Sequence, residues 1–213
     1  MFNASCETTS TALSWTMYLL AQHPSVYADL HDEVTAAIGD AAPSLDSLDQ
    51  MPLLEHVLKE SMRICPPVPT VARVAQETME VEGLEIQEGD RIFCSNYMTH
   101  HWPQLYDNPQ RFDPSRWEMH KPGPYDYVPF GAGSHVCIGF DFSMQLLRIT
   151  LAMLVQRYRF SMMPDAQIDR KCTSIMGFKY GLPMQIHEQD RSFGKPVTVR
   201  GQVNQMVDPA TAT

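Results

Sequence analysis

The chain carries one strongly patterned loop, Phe130-Gly131-Ala132-Gly133-Ser134-His135-Val136-Cys137-Ile138-Gly139. The loop sets a single cysteine between glycines and places it just ahead of a strongly apolar helical stretch. A thiolate held out of water in such a loop can ligate an iron. The alternative interpretation of a lone cysteine is a buried structural residue, since free cysteine is among the most buried residue types. The spacing FxxGxxxCxG restricts four residue types at once and favours the iron ligand.

This loop resembles the haem-binding loop of cytochromes P450. The resemblance implies that Cys137 is the axial thiolate ligand of the iron of haem b, a ligand that favours O–O cleavage. It also implies that Phe130 shields the sulfur and that His135 pairs with a haem propionate. Gly131 and Gly139 belong to the same haem-binding set, and Gly139 would let the backbone approach the porphyrin without an intervening Cβ.

A second motif is the pair Glu60 and Arg63, whose spacing of three puts both side chains on one face of a predicted helix. Alone, such a pair predicts no more than a solvated ion pair worth about 0.3–0.5 kcal/mol. The P450 family completes the set with a P-x-R-[FW] motif, which is matched by the stretch 114–117, including Arg116. The resemblance therefore implies a buried charged triad that locks the region behind the cysteine loop.

The residues around Arg73 are expected to border the haem and the substrate. The resemblance assigns Arg73 to a haem propionate, and the alternative is an exposed strand arginine. His100 lies in a region that sometimes contacts a propionate, although a histidine is more often a polar surface residue. The resemblance also predicts a mainly apolar substrate lining, and hence an apolar organic substrate. Its members would be Val68, Thr70, Val71, Ala72, Met176, Gly177 and Phe178.

The first helix contains a third motif, Ala4-Ser5-Cys6-Glu7-Thr8-Thr9. It resembles the P450 oxygen-activation motif [AG]-G-x-[DE]-T. The resemblance implies catalytic roles for Thr8, whose hydroxyl can donate and accept, and for Glu7, which would relay protons from solvent. Ser5 stands where glycine is usual, a departure that predicts a less opened helix or a tighter pocket. The alternative is an ordinary capping or surface pair.

Composition limits the classes of function that need to be considered. The 213 residues are 44% hydrophobic, which suits one or two globular domains. The net charge of −9 argues against a nucleic-acid surface and would suit a basic electron-donor partner. Five cysteines without a CxxC pair fit reduced thiols and favour an intracellular, reducing location, cytoplasmic if no membrane anchor exists. No apolar run reaches the roughly 18 residues of a membrane span.

Local patterns predict mostly helices, with strands in the middle and near the end. Helices are predicted over 2–22, 25–38 with Ser25 as N-cap, 52–65 and 139–157. A hairpin is predicted over 79–86 and a long irregular region over 96–128. The expected fold class is mainly α with small β-sheets (α+β), the P450 fold truncated within its long central helix.

The order of the motifs implies domain limits as well as a function. Residues 1–200 would be the C-terminal part of a P450 domain, and 201–213 a disordered tail. Because P450 chains usually run to about twice this length, the chain is expected to be a fragment or a truncated gene model, which leaves a lost membrane anchor possible.

The implied function is that of a haem-thiolate monooxygenase. Such an enzyme would insert one oxygen atom from O2 into an apolar organic substrate. Its electrons would come from a separate ferredoxin or flavin reductase, since the chain has no flavin or nucleotide motif. One alternative is a non-catalytic fragment that lacks half of the haem and substrate pocket. Another is a P450-type peroxygenase or isomerase, against which Glu7 and Thr8 argue mildly.

Overall fold

The computed structural model describes residues 2–209, with side chains from Ala4 onward. Helices dominate this range, and two of them are longer than fifteen residues. The helices are α1 (Phe2–Gln22), α2 (Pro24–Ile38), α3 (Leu45–Leu48), α4 (Pro52–Ile64), α5 (Asn96–His100), α6 (Arg116–Met119) and α7 (Phe140–Arg157). Within residues 2–209, no helix is both long enough and apolar enough to cross a bilayer.

The strands are short and pair into antiparallel two-stranded sheets. They are β1 (Val71–Val74), β2 (Met79–Val81), β3 (Leu84–Ile86), β4 (Arg91–Cys94), β5 (Tyr158–Met162), β6 (Arg170–Cys172), β7 (Met176–Phe178) and β8 (Met184–Glu188). β1 pairs with β4, β2 with β3, β5 with β8, and β6 with β7. The β2–β3 hairpin turns through Glu82 and Gly83, which both have positive φ. The α+β class predicted from the sequence is confirmed.

The core lies where α1, α2, α4 and α7 pack on one another. Its centre is formed by fully buried apolar side chains from each of these helices, including Leu19, Leu30, Leu58 and Leu151. α4 has the clearest amphipathic pattern, with Leu54, Val57 and Leu58 buried at positions that share one face. This helix supplies the residues on which the site described below depends.

The start of α4 is stabilised by another helix rather than by its own N-cap. Met51, the N-cap residue, makes no side-chain capping bond. Instead, the Glu33 carboxylate on α2 accepts hydrogen bonds from the backbone N–H groups of Leu53 and Leu54, at 2.8 and 2.9 Å. Free N–H groups at a helix start favour an anion, so this contact fixes α4 against α2.

Three local predictions differ from the structure. α2 begins at Pro24 with His23 as its N-cap, so Ser25 lies inside the helix. The region 96–128 contains the short helices α5 and α6. The segment after residue 200, expected as a disordered tail, forms a 3-10 helix over Gln202–Gln205 and buries Val203, Met206 and Val207, while 210–213 lie outside the described residues.

Candidate functional site

The N-terminal half of α1 faces the cysteine loop across a cavity of about 360 Å³. The lining is mostly apolar, and it combines α1, the segment 67–73, the loop 129–139 and the first half of α7. Both Thr8 and Cys137 line it. Four segments of the chain therefore meet around one apolar space, with the Cys137 thiol and the Thr8 hydroxyl in its walls.

The cysteine loop owes its shape to two glycines with positive φ. Gly131 and Gly133 have φ of 77° and 65°, values that side chains other than glycine rarely adopt. A Cβ on Gly131 would also lie only 3.3 Å from the backbone oxygen of His135. A 3-10 turn over Gly133–His135 reverses the chain, and the Cys137 N–H donates to the Phe130 carbonyl at 2.8 Å. This bond closes the loop and fixes the backbone of the cysteine.

Cys137 lies just before α7 and is exposed. Its carbonyl accepts from the Phe140 N–H at 3.2 Å, and Gly139 is the N-cap of the helix. A Cβ built on Gly139 would be 3.8 Å from the Cys137 Sγ, so the glycine keeps the space beside the sulfur open. Phe130 packs edge-on against Phe140, with ring centroids 4.9 Å apart.

A buried carboxylate organises the region behind the loop. Glu60 is fully buried and is held by Arg63, whose Nε and Nη2 donate to its two oxygens at 2.9 Å each. Arg116 donates from Nε at 3.3 Å, and Trp117 donates from Nε1 at 3.0 Å. The backbone N–H of Asp113 adds a fifth bond at 3.1 Å. The structure thus brings the predicted triad together. Trp117 and Asp113 could not be placed there from the sequence.

Arg63 also holds the irregular segment that follows α5. Its Nη1 donates to the carbonyls of His100 and Pro109, both at 2.8 Å, and Nη2 donates to that of Arg111 at 3.3 Å. The guanidinium lies over the Tyr106 ring, 5.1 Å from its centroid. Burial raises the pKa of Tyr106, so its hydroxyl stays neutral and donates to the Asp126 carbonyl.

The three residues considered as propionate partners fall into two groups. Arg73 and His135 are exposed and line the cavity together with Cys137. Arg73 uses one Nη1–H for the neighbouring Ala72 carbonyl, at 2.9 Å. His100 is fully buried outside the lining, where its Nε2 accepts from the Val128 N–H at 2.9 Å. Burial, aided by the Arg63 charge, lowers the pKa of His100 to about 3.

The segment of α1 that resembles the oxygen-activation motif places its two proposed catalytic residues differently. Thr8 lines the cavity, and its hydroxyl donates to the Ala4 carbonyl at 2.6 Å. Glu7 is exposed and lies outside the lining. α1 runs as a continuous helix through the motif, without the opening that a glycine in place of Ser5 would favour.

The predicted substrate lining is brought together only in part. Val68 and Val71 line the cavity, whereas Thr70 and Ala72 are exposed outside it. The lining also omits Met176, Gly177 and Phe178, whose strand β7 packs onto α1. Trp15 holds β7 away from the cavity. Its Nε1 donates to the Met176 carbonyl at 2.8 Å, and its ring centroid lies 4.0 Å from that of Phe178. One lining residue that the sequence analysis missed is Asn96, which anchors the Val68 carbonyl at 3.0 Å.

The residues around Cys137 fit an iron porphyrin. Among residues 2–209, no group of three or more His, Cys, Asp or Glu side chains is placed to hold a bare metal ion. Cys137 offers one thiol, the kind of side chain that can serve as a single protein ligand to a haem iron. The apolar walls suit a flat apolar group, and Arg73 and His135 suit its carboxylates.

Comparison with known proteins identifies the family. Residues 1–182 match the family model described as Cytochrome P450. The chain is 34% identical over 172 residues to Cytochrome P450 3A11 of Mus musculus, an alignment that covers 79% of this chain and 34% of that relative. The identity is again 34% over 172 residues to Protein LUTEIN DEFICIENT 5, chloroplastic, of Arabidopsis thaliana, with 78% and 29% covered.

A third relative, Cytochrome P450 3A19 of Capra hircus aegagrus, is 33% identical over 169 residues, with 78% of each chain covered. The chain belongs to the cytochrome P450 family, as the sequence predicted. It spans 34% of the length of the first relatives that it matches.

Proposed function

We propose that this chain forms the thiolate side of the haem pocket of a P450 monooxygenase, which inserts one oxygen atom from O2 into an apolar organic substrate. The observation that carries the proposal is the presence of Cys137, Arg73, His135 and Thr8 in the lining of one mainly apolar cavity. Thr8, Arg73 and the loop that carries His135 and Cys137 are distant in sequence. The fold gathers them into a set with a thiol, a guanidinium, an imidazole and a hydroxyl.

Cys137 would hold the iron through Sγ. When bound, the haem would supply the chemistry of oxygen activation, which no amino-acid side chain can perform. The protein's part is to fix the sulfur: the bond from the Cys137 N–H to the Phe130 carbonyl holds its backbone. Gly139 keeps the adjacent space free, and the Phe130 ring would shield the sulfur from water. Gly131 contributes to the shape of the loop because its positive φ permits the turn.

Arg73 and His135 would orient the group by pairing with its two propionates. A guanidinium offers several N–H donors in a fixed plane and suits a carboxylate. Arg73 uses only one of its N–H groups within its own strand, so others are available for a ligand carboxylate. His135 lies two residues before the cysteine, on the 3-10 turn of the same loop.

Thr8 and Glu7 would move protons on the opposite side of the pocket. The Thr8 hydroxyl donates to the Ala4 carbonyl, and rotation about χ1 would redirect this proton into the cavity. The exposed carboxylate of Glu7 can exchange protons with solvent and resupply the hydroxyl through water. These residues support the monooxygenase over a peroxygenase or isomerase, which needs no proton delivery of this kind.

The character of the surfaces supports an apolar substrate and a basic electron donor. Val68, Val71 and Ala12 make an apolar wall, so an apolar organic molecule is the expected substrate. The electrons would come from a separate protein, a ferredoxin or a flavin reductase. The net charge of −9 would favour a donor with a basic docking face.

The test is the absorption spectrum of the reduced chain under carbon monoxide. Incorporated haem with a thiolate ligand should give a Soret band at about 450 nm, the wavelength behind the family's name. Cys137→Ser should abolish the band. Cys94→Ser is the matched control because Cys94 is also exposed but lies on β4, outside the cavity lining. A band that survives in Cys137→Ser, or haem that never binds, would overturn the assignment for this chain.

A further inference from the structure

His100 occupies the junction between the buried charged network and the cysteine loop. It is the last residue of α5, and its side chain is 0% exposed. Its backbone carbonyl accepts from Nη1 of Arg63 at 2.8 Å. Its ring accepts from the Val128 N–H at 2.9 Å and stacks on Tyr127, with ring centroids 5.4 Å apart. His100 therefore contacts both the buried charged network and the segment that leads into the cysteine loop.

Few covalent and hydrogen bonds separate the Val128 N–H, which His100 binds, from the backbone of Cys137. Val128 stands two residues before Phe130, and the Phe130 carbonyl is the acceptor for the Cys137 N–H. The same stretch is anchored a second time by Tyr127, whose hydroxyl donates to the Lys59 carbonyl on α4 at 3.1 Å. A continuous series of hydrogen bonds and peptide units thus leads from α4 through His100 to Cys137.

The contact works in one protonation state only. A backbone N–H can only donate, so Nε2 of His100 must be unprotonated, and a neutral ring then carries its proton on Nδ1. The surroundings favour this neutral form. Burial is the main cause of the lowered pKa of His100, the positive charge of Arg63 adds to it, and the backbone oxygens of Arg63 and Met62 oppose it in part. Tyr127 is the other titratable group that packs against the imidazole of His100, and its raised pKa keeps it uncharged.

We infer that His100 is a positioning residue for the cysteine loop, which holds Val128, and through it the Cys137 backbone, by accepting a hydrogen bond at Nε2 in its neutral form. The functional importance of this inference rests on the proposed function, in which the loop carries the haem ligand Cys137. The geometry it invokes belongs to the chain itself and can be measured without haem.

Three variants of the full chain separate this role from simple filling of space. His100→Leu fills the site but offers no acceptor, whereas His100→Gln offers an amide oxygen. His101→Leu is the matched control, because His101 is the next residue, is largely buried and stacks on Tyr97 instead of on the loop. The readout is backbone amide hydrogen exchange at Val128 and Cys137, with the amides of β5 reporting global opening.

The expected result is exchange about tenfold faster at Val128 and Cys137 in His100→Leu, the scale of losing one buried acceptor. His100→Gln should restore most of the protection, and His101→Leu should leave both amides unchanged. Unchanged exchange in a folded His100→Leu would overturn the inference. So would equal acceleration in His101→Leu, or a rise confined to Val128 that never reaches Cys137.

A measurement on the unaltered chain decides the matter if His100→Leu does not fold. The ¹⁵N shifts of the imidazole distinguish the two tautomers and the charged ring. The Nδ1–H tautomer, neutral from pH 7 down to about pH 5, is expected. An Nε2–H tautomer, or titration near the ordinary pKa of about 6.5, would refute the role. None of these readouts requires haem, so a failure of the proposed function would leave them interpretable.

Discussion

Replacing Glu60 by glutamine tests whether the buried carboxylate holds the region behind the cysteine loop. Glu60→Gln keeps the shape of the side chain and removes its charge. In the native chain the carboxylate accepts five hydrogen bonds, all within 3.3 Å, from Arg63, Arg116, Trp117 and the Asp113 backbone. A glutamine can accept at one oxygen only, and its NH2 group would face a donor.

The size of the effect follows from burial. The Arg63 side chain is 0% exposed, so its charge would stay in the interior without a counter-ion. Removing one partner of a buried ion pair typically costs about 3–5 kcal/mol, a large part of a usual stability of about 5–15 kcal/mol. The matched control is Glu55→Gln on the same helix. Glu55 pairs with Lys59 at 2.6 Å, but both side chains are about a third exposed, which predicts a loss of about 0.2–1 kcal/mol.

Urea unfolding at pH 7 measures both variants against the native chain, with the slope m checked for constancy. We expect the free energy of unfolding of Glu60→Gln to fall below that of Glu55→Gln by at least about 2 kcal/mol. A difference under about 0.5 kcal/mol would refute the reasoning. It would mean that the carbonyls of His100, Pro109 and Arg111 satisfy Arg63 without the carboxylate.

Three further outcomes follow from other contacts. The pKa values of His100 and His101 are lowered to about 3 and about 4. The unfolded chain therefore binds more protons than the folded chain as the pH falls, and urea unfolding should show about 1.6 kcal/mol lost per histidine between pH 6.5 and 5. Stability that stays constant over this interval would contradict the lowered pKa values. Trp15→Phe orphans the buried Met176 carbonyl and should cost about 1–3 kcal/mol in the same assay, a loss under 0.5 contradicting this. Gly131→Ala should cost about 1–3 kcal/mol through its positive φ, and an unaltered thermal midpoint would exclude such strain.

Sequence patterns predicted the four long helices to within one residue at every end. α4 illustrates why: Pro52 suits the first helical position, and the prolines at 66 and 67 forbid continuation. The short helix α6 carries no comparable signal, since four residues cannot establish a period. Its existence depends on Arg116 and Trp117 reaching Glu60, a tertiary contact that no local pattern contains.

The candidate site was predictable where a motif concentrates the chemistry in one loop. Cys137, Phe130, Gly131 and His135 all come from one such segment, and the structure gathers them at the cavity. Met176 shows the opposite case. A three-residue strand can present either face, and what decides between them is the hydrogen bond from Trp15, 161 residues away in the chain. A local sequence motif cannot predict a contact between residues so far apart in the chain.

The two walls of the cavity depend on adjacent residues of α4. Ser61 accepts a hydrogen bond from the Thr16 hydroxyl at 2.9 Å, which joins α4 to the α1 wall in a fully buried contact. Its neighbour Glu60 binds the segment that leads to the cysteine loop. Successive residues on a helix point about 100° apart, so one turn of α4 can serve both directions at once. Because α4 is itself fixed to α2 by Glu33, we infer that the spacing between the Thr8 wall and the Cys137 wall depends on this helix, which contributes Met62 to the cavity lining.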